Sequence, residues 1–284
     1  MKSRYIHKKE ILKFKDYLYE EEKSEATISK YMHDVKCFYS FLPENKKVDK
    51  VALLEYKAYL SKNYKITSAN SMLVALNSML KFMNLTSLKL KLFKIQKSVF
   101  CHESKMLTNK EYKKLLKVAK SKKKYRLYML LQTICGTGIR VSEHRFITYE
   151  AIEEGKAIIH NKGKVRTIFI PDDLRKILLK YCDAMNIERG SIFITSSGKP
   201  MDRSNIWTAM KELCKEADVS TKKVFPHNLR HLFALTYYRL QKDVLRLADI
   251  LGHSSVDTTR IYTMSDGSDC QKVLSRMNLV ELLQ

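Results

Sequence analysis

Cysteine is scarce and unpaired in this sequence. Cys37, Cys101, Cys135, Cys182, Cys214 and Cys270 are scattered through 284 positions with no Cys-x-x-Cys pair. That spacing argues against a disulfide framework or a cysteine zinc site and predicts free thiols. No apolar run approaches the length of a membrane span, and the opening stretch MKSRYIHKKE lacks the apolar core of a signal peptide. A cytoplasmic location without membrane attachment is therefore expected. Gly-x-x-x-x-Gly-Lys is missing, so nothing points to ATP, and His-Glu-x-x-His is missing too. There is no internal repeat and no low-complexity tract. Acidic residues are the last shortage, with 30 Asp and Glu against 53 Lys and Arg, for a net charge of +23.

The excess is spread along the chain. Residues 1–100 carry 20 basic and 10 acidic side chains, or +10, which leaves 33 against 20, or +13, for the remainder. A basic tail on a neutral body would look different. Lys and Arg gain free energy on a polyanion by releasing its condensed counterions, so nucleic acid is the natural partner. The plain alternative is a lysine-rich, solvated surface.

Helical spacing organises the first part. Ile11, Phe14 and Leu18 recur from about Lys8 to Glu22, and a second helix follows Ser24 with Ile28, Tyr31, Val35, Phe38 and Phe41. VALLEYKAYL after Asp49 and a segment from about Thr67 through Leu80 add two more. The reading is a helical domain over 1–86, a basic linker over 87–106 and a second domain over 107–284. The second domain opens with Thr108 capping a helix and Glu111 three residues on, and Gly136 and Gly138 end the next helix. KAIIHNKGKVRTIFIP alternates apolar residues on either side of Lys162-Gly163, the pattern of a hairpin. SIFITSSGKP reads as a short strand, and the rest is helical.

The chemistry gathers in FPHNLRHLFALTYYRLQKDVLRLADILGHSSVDTTRIYT, residues 225–263. His227 and Arg230 share one face of a helix that starts at Pro226, with Leu229, Leu232, Phe233, Tyr237 and Leu240 expected to be buried. Val244, Leu247, Ala248 and Leu251 face inward on the next helix. Gly252 stops it, His253 follows, and SSVDTTRIYT restarts a helix that presents Tyr262 while Ile261 anchors it. Two histidines and an arginine suit a phosphate, and a tyrosine is a nucleophile toward it. His227 and His231 have metal-ligand spacing, but Arg230 between them disfavours a dication. No metal and no cofactor are expected.

GTGIRVSE, NKGK, PHNLRHLFA and LGHSSVDTTRIYT, in that order, resemble the four signatures of the tyrosine recombinases, or phage-type integrases, with Xer-like members closest in layout. The resemblance implies a mainly α fold with a small β-hairpin in the catalytic domain, preceded by a helical, SAM-like core-binding domain, the two clamping DNA. It assigns Arg140 and Arg230 to the scissile phosphate and Tyr262 to nucleophilic attack. His253 becomes a hydrogen-bond donor to the phosphate, His227 the base-like histidine and Lys162 the general acid. Glu143 supports the network, Lys164 stands two residues from the general acid's place, and His231 is structural. It further implies double-stranded DNA with an inverted-repeat core site, a dimer on one site and a tetramer in synapsis through a Holliday junction. The terminal segment QKVLSRMNLVELLQ would form a helix docked on a neighbouring protomer.

DNA contacts are expected from Thr27, Lys30 and Tyr31 on the second helix, and from Arg203 and Asn205 at the start of a later one. Trp207 on that later helix reads as a packing residue. A type IB topoisomerase-like relaxer and a DNA-binding protein without catalysis are the rival readings.

Overall fold

Apolar residues three and four apart settle the N-terminal part into four helices. The computed structural model describes residues 4–95, 106–161, 163–253, 255–259, 262 and 275–277, and the chain divides into two units, 1–97 and 98–284. A short strand β1 (Arg4–Tyr5) precedes α1 (Lys8–Glu20), which buries Ile11, Phe14 and Leu18. Helix α2 (Glu25–Phe41) follows Ser24, and β2 (Lys47–Val48) pairs antiparallel with β1. Asp49 caps α3 (Lys50–Asn63) by accepting from the Ala52 N–H. Helix α4 (Ile66–Phe82) is the centre of this unit, with Ala69, Met72, Leu73, Ala75, Leu76, Met79 and Leu80 all buried.

The expected linker starts too early. Asn70 and Asn77 on α4 each clamp the backbone that follows, donating to the carbonyls of Phe93 and Leu90 and accepting from the same residues' N–H groups, all at 2.8–2.9 Å. Leu88 and Leu90 are buried beside them. Two asparagines seven residues apart on one helix face supply what a neighbouring strand would, so this stretch belongs to the first unit. Residues 96–105 lie outside the described residues.

In the second unit Thr108 and Glu111 form the reciprocal cap expected at α5 (Asn109–Ser121). Helix α6 (Tyr125–Thr137) ends at Gly138, which is left-handed at φ 67°. A 3-10 turn over Val141–Phe146 and α7 (Tyr149–Glu153) lead into the hairpin of β3 (Lys156–Asn161) and β4 (Lys164–Phe169). Its register pairs Asn161 with Lys164, placing the turn where the sequence puts it. Helices α8 (Asp172–Ala184), α9 (Arg203–Glu216), α10 (Pro226–Gln241), α11 (Val244–Leu251) and α12 (Val256–Thr259) complete the described part.

Two further expectations need correction. SIFITSSGKP forms no strand; it makes only isolated bridges, Thr148 with Ser191 and Ile194 with Pro200, while Ile192 and Phe193 are buried. Leu240 is 76% exposed, because it sits in the last turn of α10, past the part of the helix that packs. Most of the terminal segment lies outside the described residues.

Candidate active site

Pro226 at the first position of α10 loses no helical hydrogen bond and sets the backbone for helix entry. One turn further, Arg230 is buried to 3% exposure, so its donors need acceptors. Nη1 donates to the Gly138 carbonyl at 2.7 Å and Nη2 to the Leu251 carbonyl at 2.6 Å. Those carbonyls sit at the ends of α6 and α11, where helical partners run out and the helix dipole is negative. Gly138 tolerates no side chain, since a Cβ there would lie 2.5 Å from the Phe233 ring.

Glu143 closes the start of the 3-10 turn by accepting twice from Arg140. The Arg140 N–H donates to Glu143 Oε2 at 2.7 Å, Nη1 donates to Oε1 at 2.9 Å, and Nη2 donates to the Gly252 carbonyl at 3.1 Å. Glu143 is 2% exposed and serves a second cation, Arg166 of β4, whose Nη2 reaches Oε2 at 2.7 Å. Arg166 Nη1 donates to the Leu251 carbonyl at 2.8 Å. Three guanidiniums against one carboxylate leave an excess of two positive charges. Burial, with Arg140 and Arg166 adding to it, pushes the Arg230 pKa down to about 10, still charged at neutral pH.

Gly252 ends α11 in the left-handed conformation and delivers His253 to the cluster. Arg230 Nη2 donates to His253 Nε2 at 3.1 Å, so the ring proton sits on Nδ1, which donates to Thr259 Oγ1 at 2.8 Å. Burial, then Arg230 and Arg140, depress the His253 pKa to about 4. Desolvation in the cleft and the charges of Arg230 and Arg140 lower that of His227. Both rings are neutral at pH 7 and able to accept a proton.

Tyr262 lies beyond the end of α12, in a 3-10 position, and its side chain is 2% exposed. It packs with Ala234, Leu247 and Leu251, edge-on to His231 at 4.6 Å and stacked on His253 at 6.2 Å. Burial raises its pKa, while the charge and hydrogen bonding of Arg230 pull the other way. His231 is itself buried, and its pKa falls to about 4.

Arg140, His227 and Arg230 line one cleft of about 380 Å³ together with Arg203 and Trp207 of α9. Trp207 is 51% exposed there, with Lys211 over its ring, and is not the packing residue the sequence suggested. Asn205 is exposed on the same helix, its N–H capped by Asp202. The α2 candidates do not converge: the Thr27 hydroxyl meets Ser24 at 2.9 Å, Lys30 pairs with Asp34, and Tyr31 packs on the core of the first unit. Lys162 lies outside the described residues, beside an exposed Gly163 at the hairpin turn. Sequence reasoning missed Arg166 and Thr259.

A model described as the Phage integrase family matches residues 105–268, and one described as Phage integrase, N-terminal SAM-like domain matches residues 11–85. The chain is 32% identical to Tyrosine recombinase XerA of Pyrococcus furiosus, over 100% of this chain and 99% of that protein. A crystal structure of XerA recombinase is similar at 27% identity with a TM-score of 0.53, covering 96% of this chain and 99% of that one. A lambda integrase tetramer bound to a Holliday junction shares the fold, with a TM-score of 0.71 at 18% identity over 89% of this chain and 76% of that one.

Proposed function

The chain belongs to the phage integrase family of tyrosine recombinases, and from that premise we propose that it cuts and rejoins DNA strands at a specific site through its own tyrosine. The observation that carries this reading is the excess of two positive charges in the Arg140–Glu143–Arg166–Arg230 cluster, beside a buried tyrosine. A phosphodiester carries one negative charge and gains a second as a nucleophile adds, so such a cluster favours the transition state over the ground state.

Arg140 and Arg230 hold the non-bridging oxygens of the scissile phosphate through N–H groups beyond those already used. Tyr262 Oη attacks phosphorus as its proton passes to neutral His227. The bond from phosphorus to the 5′-oxygen breaks, and Lys162 protonates that oxygen. The products are a 3′-phosphotyrosyl ester and a free 5′-hydroxyl. The ester retains the energy of the broken bond, so rejoining is the reverse attack and needs no ATP or cofactor. His253 becomes a donor to the phosphate as the incoming anion raises its proton affinity. Glu143 orients both Arg140 and the hairpin.

The partner is double-stranded DNA with an inverted-repeat core, bound by a dimer at each site and a tetramer at the Holliday junction. The first unit serves as the core-binding domain and residues 107–284 as the catalytic domain. Arg203 and Asn205 contact DNA from α9. Lys30, with Thr27 and Tyr31 beside it, contacts the backbone from α2. Among the described residues no helix is long and apolar enough to cross a membrane, and the reading puts the reaction in the cytoplasm.

The test is covalent capture. The protein is incubated with fragmented DNA from its source genome, and protein-linked fragments are isolated and sequenced at their ends. One recurrent site joined through a 3′ end is expected, with no adduct from Tyr262→Phe, which removes only the attacking oxygen. Adducts that persist in Tyr262→Phe, or wild-type protein that links to nothing, overturn the reading.

A further inference from the structure

Arg166 adds its charge to the cluster but touches no reacting atom in the reaction just described, and its contacts link the cluster's other members. It is a charged residue on the inward face of β4, in step with buried Ile168 and Ile170, and its side chain is 14% exposed. Its two terminal nitrogens divide between different elements, Nη2 to Glu143 at 2.7 Å and Nη1 to the Leu251 carbonyl at 2.8 Å. Each acceptor is shared with one of the two phosphate-binding arginines. Glu143 also receives Arg140, and the Leu251 carbonyl also receives Arg230. Gly252 lies directly over the side chain, where a Cβ would come within 2.6 Å of Arg166 Cδ, and its carbonyl receives Arg140.

We propose that Arg166 is a positioning residue that fixes Arg140 and Arg230 relative to each other, and both relative to the hairpin that bears Lys162. A guanidinium is suited to this because its planar fork sets the distance and angle between two acceptors at once. Without it, Glu143 is free to turn with Arg140, and the end of α11 loses its tie to the sheet. The two phosphate-binding forks then no longer meet one phosphate in the geometry they hold now. An error of about 1 Å in such a site costs roughly 10²-fold in rate.

The inference rests on the proposed phosphoryl transfer, and its test separates the two. The probe is the duplex that wild-type protein links to covalently, nicked near the cleavage site so that the adduct accumulates. A matched duplex carries a neutral methylphosphonate at the scissile position and so offers one fewer oxygen to the arginine pair. Wild-type protein, Arg166→Lys and Arg166→Ala are compared for single-turnover cleavage of both duplexes, half-site binding and melting temperature. Arg166→Lys keeps a charge but cannot fork, and it guards against an alanine variant that folds poorly. Both variants are expected to cleave the phosphate duplex about 10²-fold more slowly. On the methylphosphonate duplex the loss is expected to stay within about threefold, because less depends on the paired forks. Equal losses on the two duplexes, or full activity in Arg166→Lys, overturn the positioning role. Wild-type protein that forms no adduct overturns the reaction itself.

Discussion

The ion pair on α2 and the ion cluster at the active site bury their carboxylates to similar depth. Asp34 is 6% exposed and Glu143 is 2% exposed. Their cations differ. Lys30 is 46% exposed and joins Asp34 from one turn away on the same helix. Glu143 joins Arg140 to Arg166, 14% exposed, from a strand 23 residues further on. In the first case the cation stays about half in water and only the local helix is tied. In the second, removing the carboxylate strands two guanidiniums whose other acceptors are helix-end carbonyls. The same charges therefore decorate one region and organise the other.

In the proposed reaction Lys162 is a charge of a third kind, the acid for the leaving 5′-oxygen. Lys162→Ala is expected to slow cleavage by ~10²–10⁴ without changing the melting temperature, the usual scale for losing an acid catalyst. A duplex with a 5′-bridging sulfur, whose leaving group needs no proton, should restore the rate. Rescue of Lys164→Ala instead would shift the role by two residues.

Next in size is Glu143→Ala. Breaking a buried pair by removing one partner costs about 3–5 kcal/mol. Urea unfolding should show that loss, and reduced cleavage should accompany it. A loss under 1 kcal/mol, on the scale of a surface pair, would erase the distinction between the two regions.

A smaller effect comes from pH. His231 is neutral in the folded chain down to about pH 4, whereas its ordinary value is 6.5. Between those values the unfolded chain binds the extra proton. Stability is thus at its full value above about pH 6.5, falls as pH drops toward 4, and loses nothing more from this ring below that. The buried ring accounts for up to about 3 kcal/mol. His231→Phe should flatten the pH dependence of urea unfolding across that window, and an unchanged slope would contradict the assignment.

The smallest effect belongs to Asp34→Ala. It leaves Lys30 already half in water, so stability should change by less than about 1 kcal/mol. The freed ammonium becomes available to a phosphate. Half-site affinity in a gel shift should rise slightly, and the salt dependence should steepen by about one counterion. A large stability loss would show that α2 depends on the pair.

The parts that sequence makes legible are those set by neighbours in the chain. The cap at Thr108, the stops at Gly138 and Gly252, and the hairpin turn all rest on residues within four positions of one another. Arg140, Glu143, Arg230, His253 and Tyr262 were legible through family signatures, and the structure gathers them into one cluster. Their acceptors were not, because a backbone carbonyl such as that of Leu251 leaves no mark on residue identity. Arg166 did leave one: it interrupts the inward face of β4 at the position a small apolar residue would fill. Trp207 was misread because an aromatic on a helix is usually buried, whereas this one lines a cleft. Lys30 was singled out for charge alone, and its tie to Asp34 one turn on dilutes that signal.

The hydrogen bonds that build the cluster span long stretches of chain. Arg140 and Gly252 are 112 residues apart, Gly138 and Arg230 are 92 apart, and Arg166 and Leu251 are 85 apart. Contacts of such separation form late, after the loops between them have closed. A ribosome would have to finish α11 before the arginines had anything to hold them. A nascent chain released before Leu251 would carry Arg140, Arg166 and Arg230 without the carbonyls that converge them, and without Tyr262. Synthesis order thus sets the point at which a copy of this chain first holds all the groups that the proposed cleavage needs.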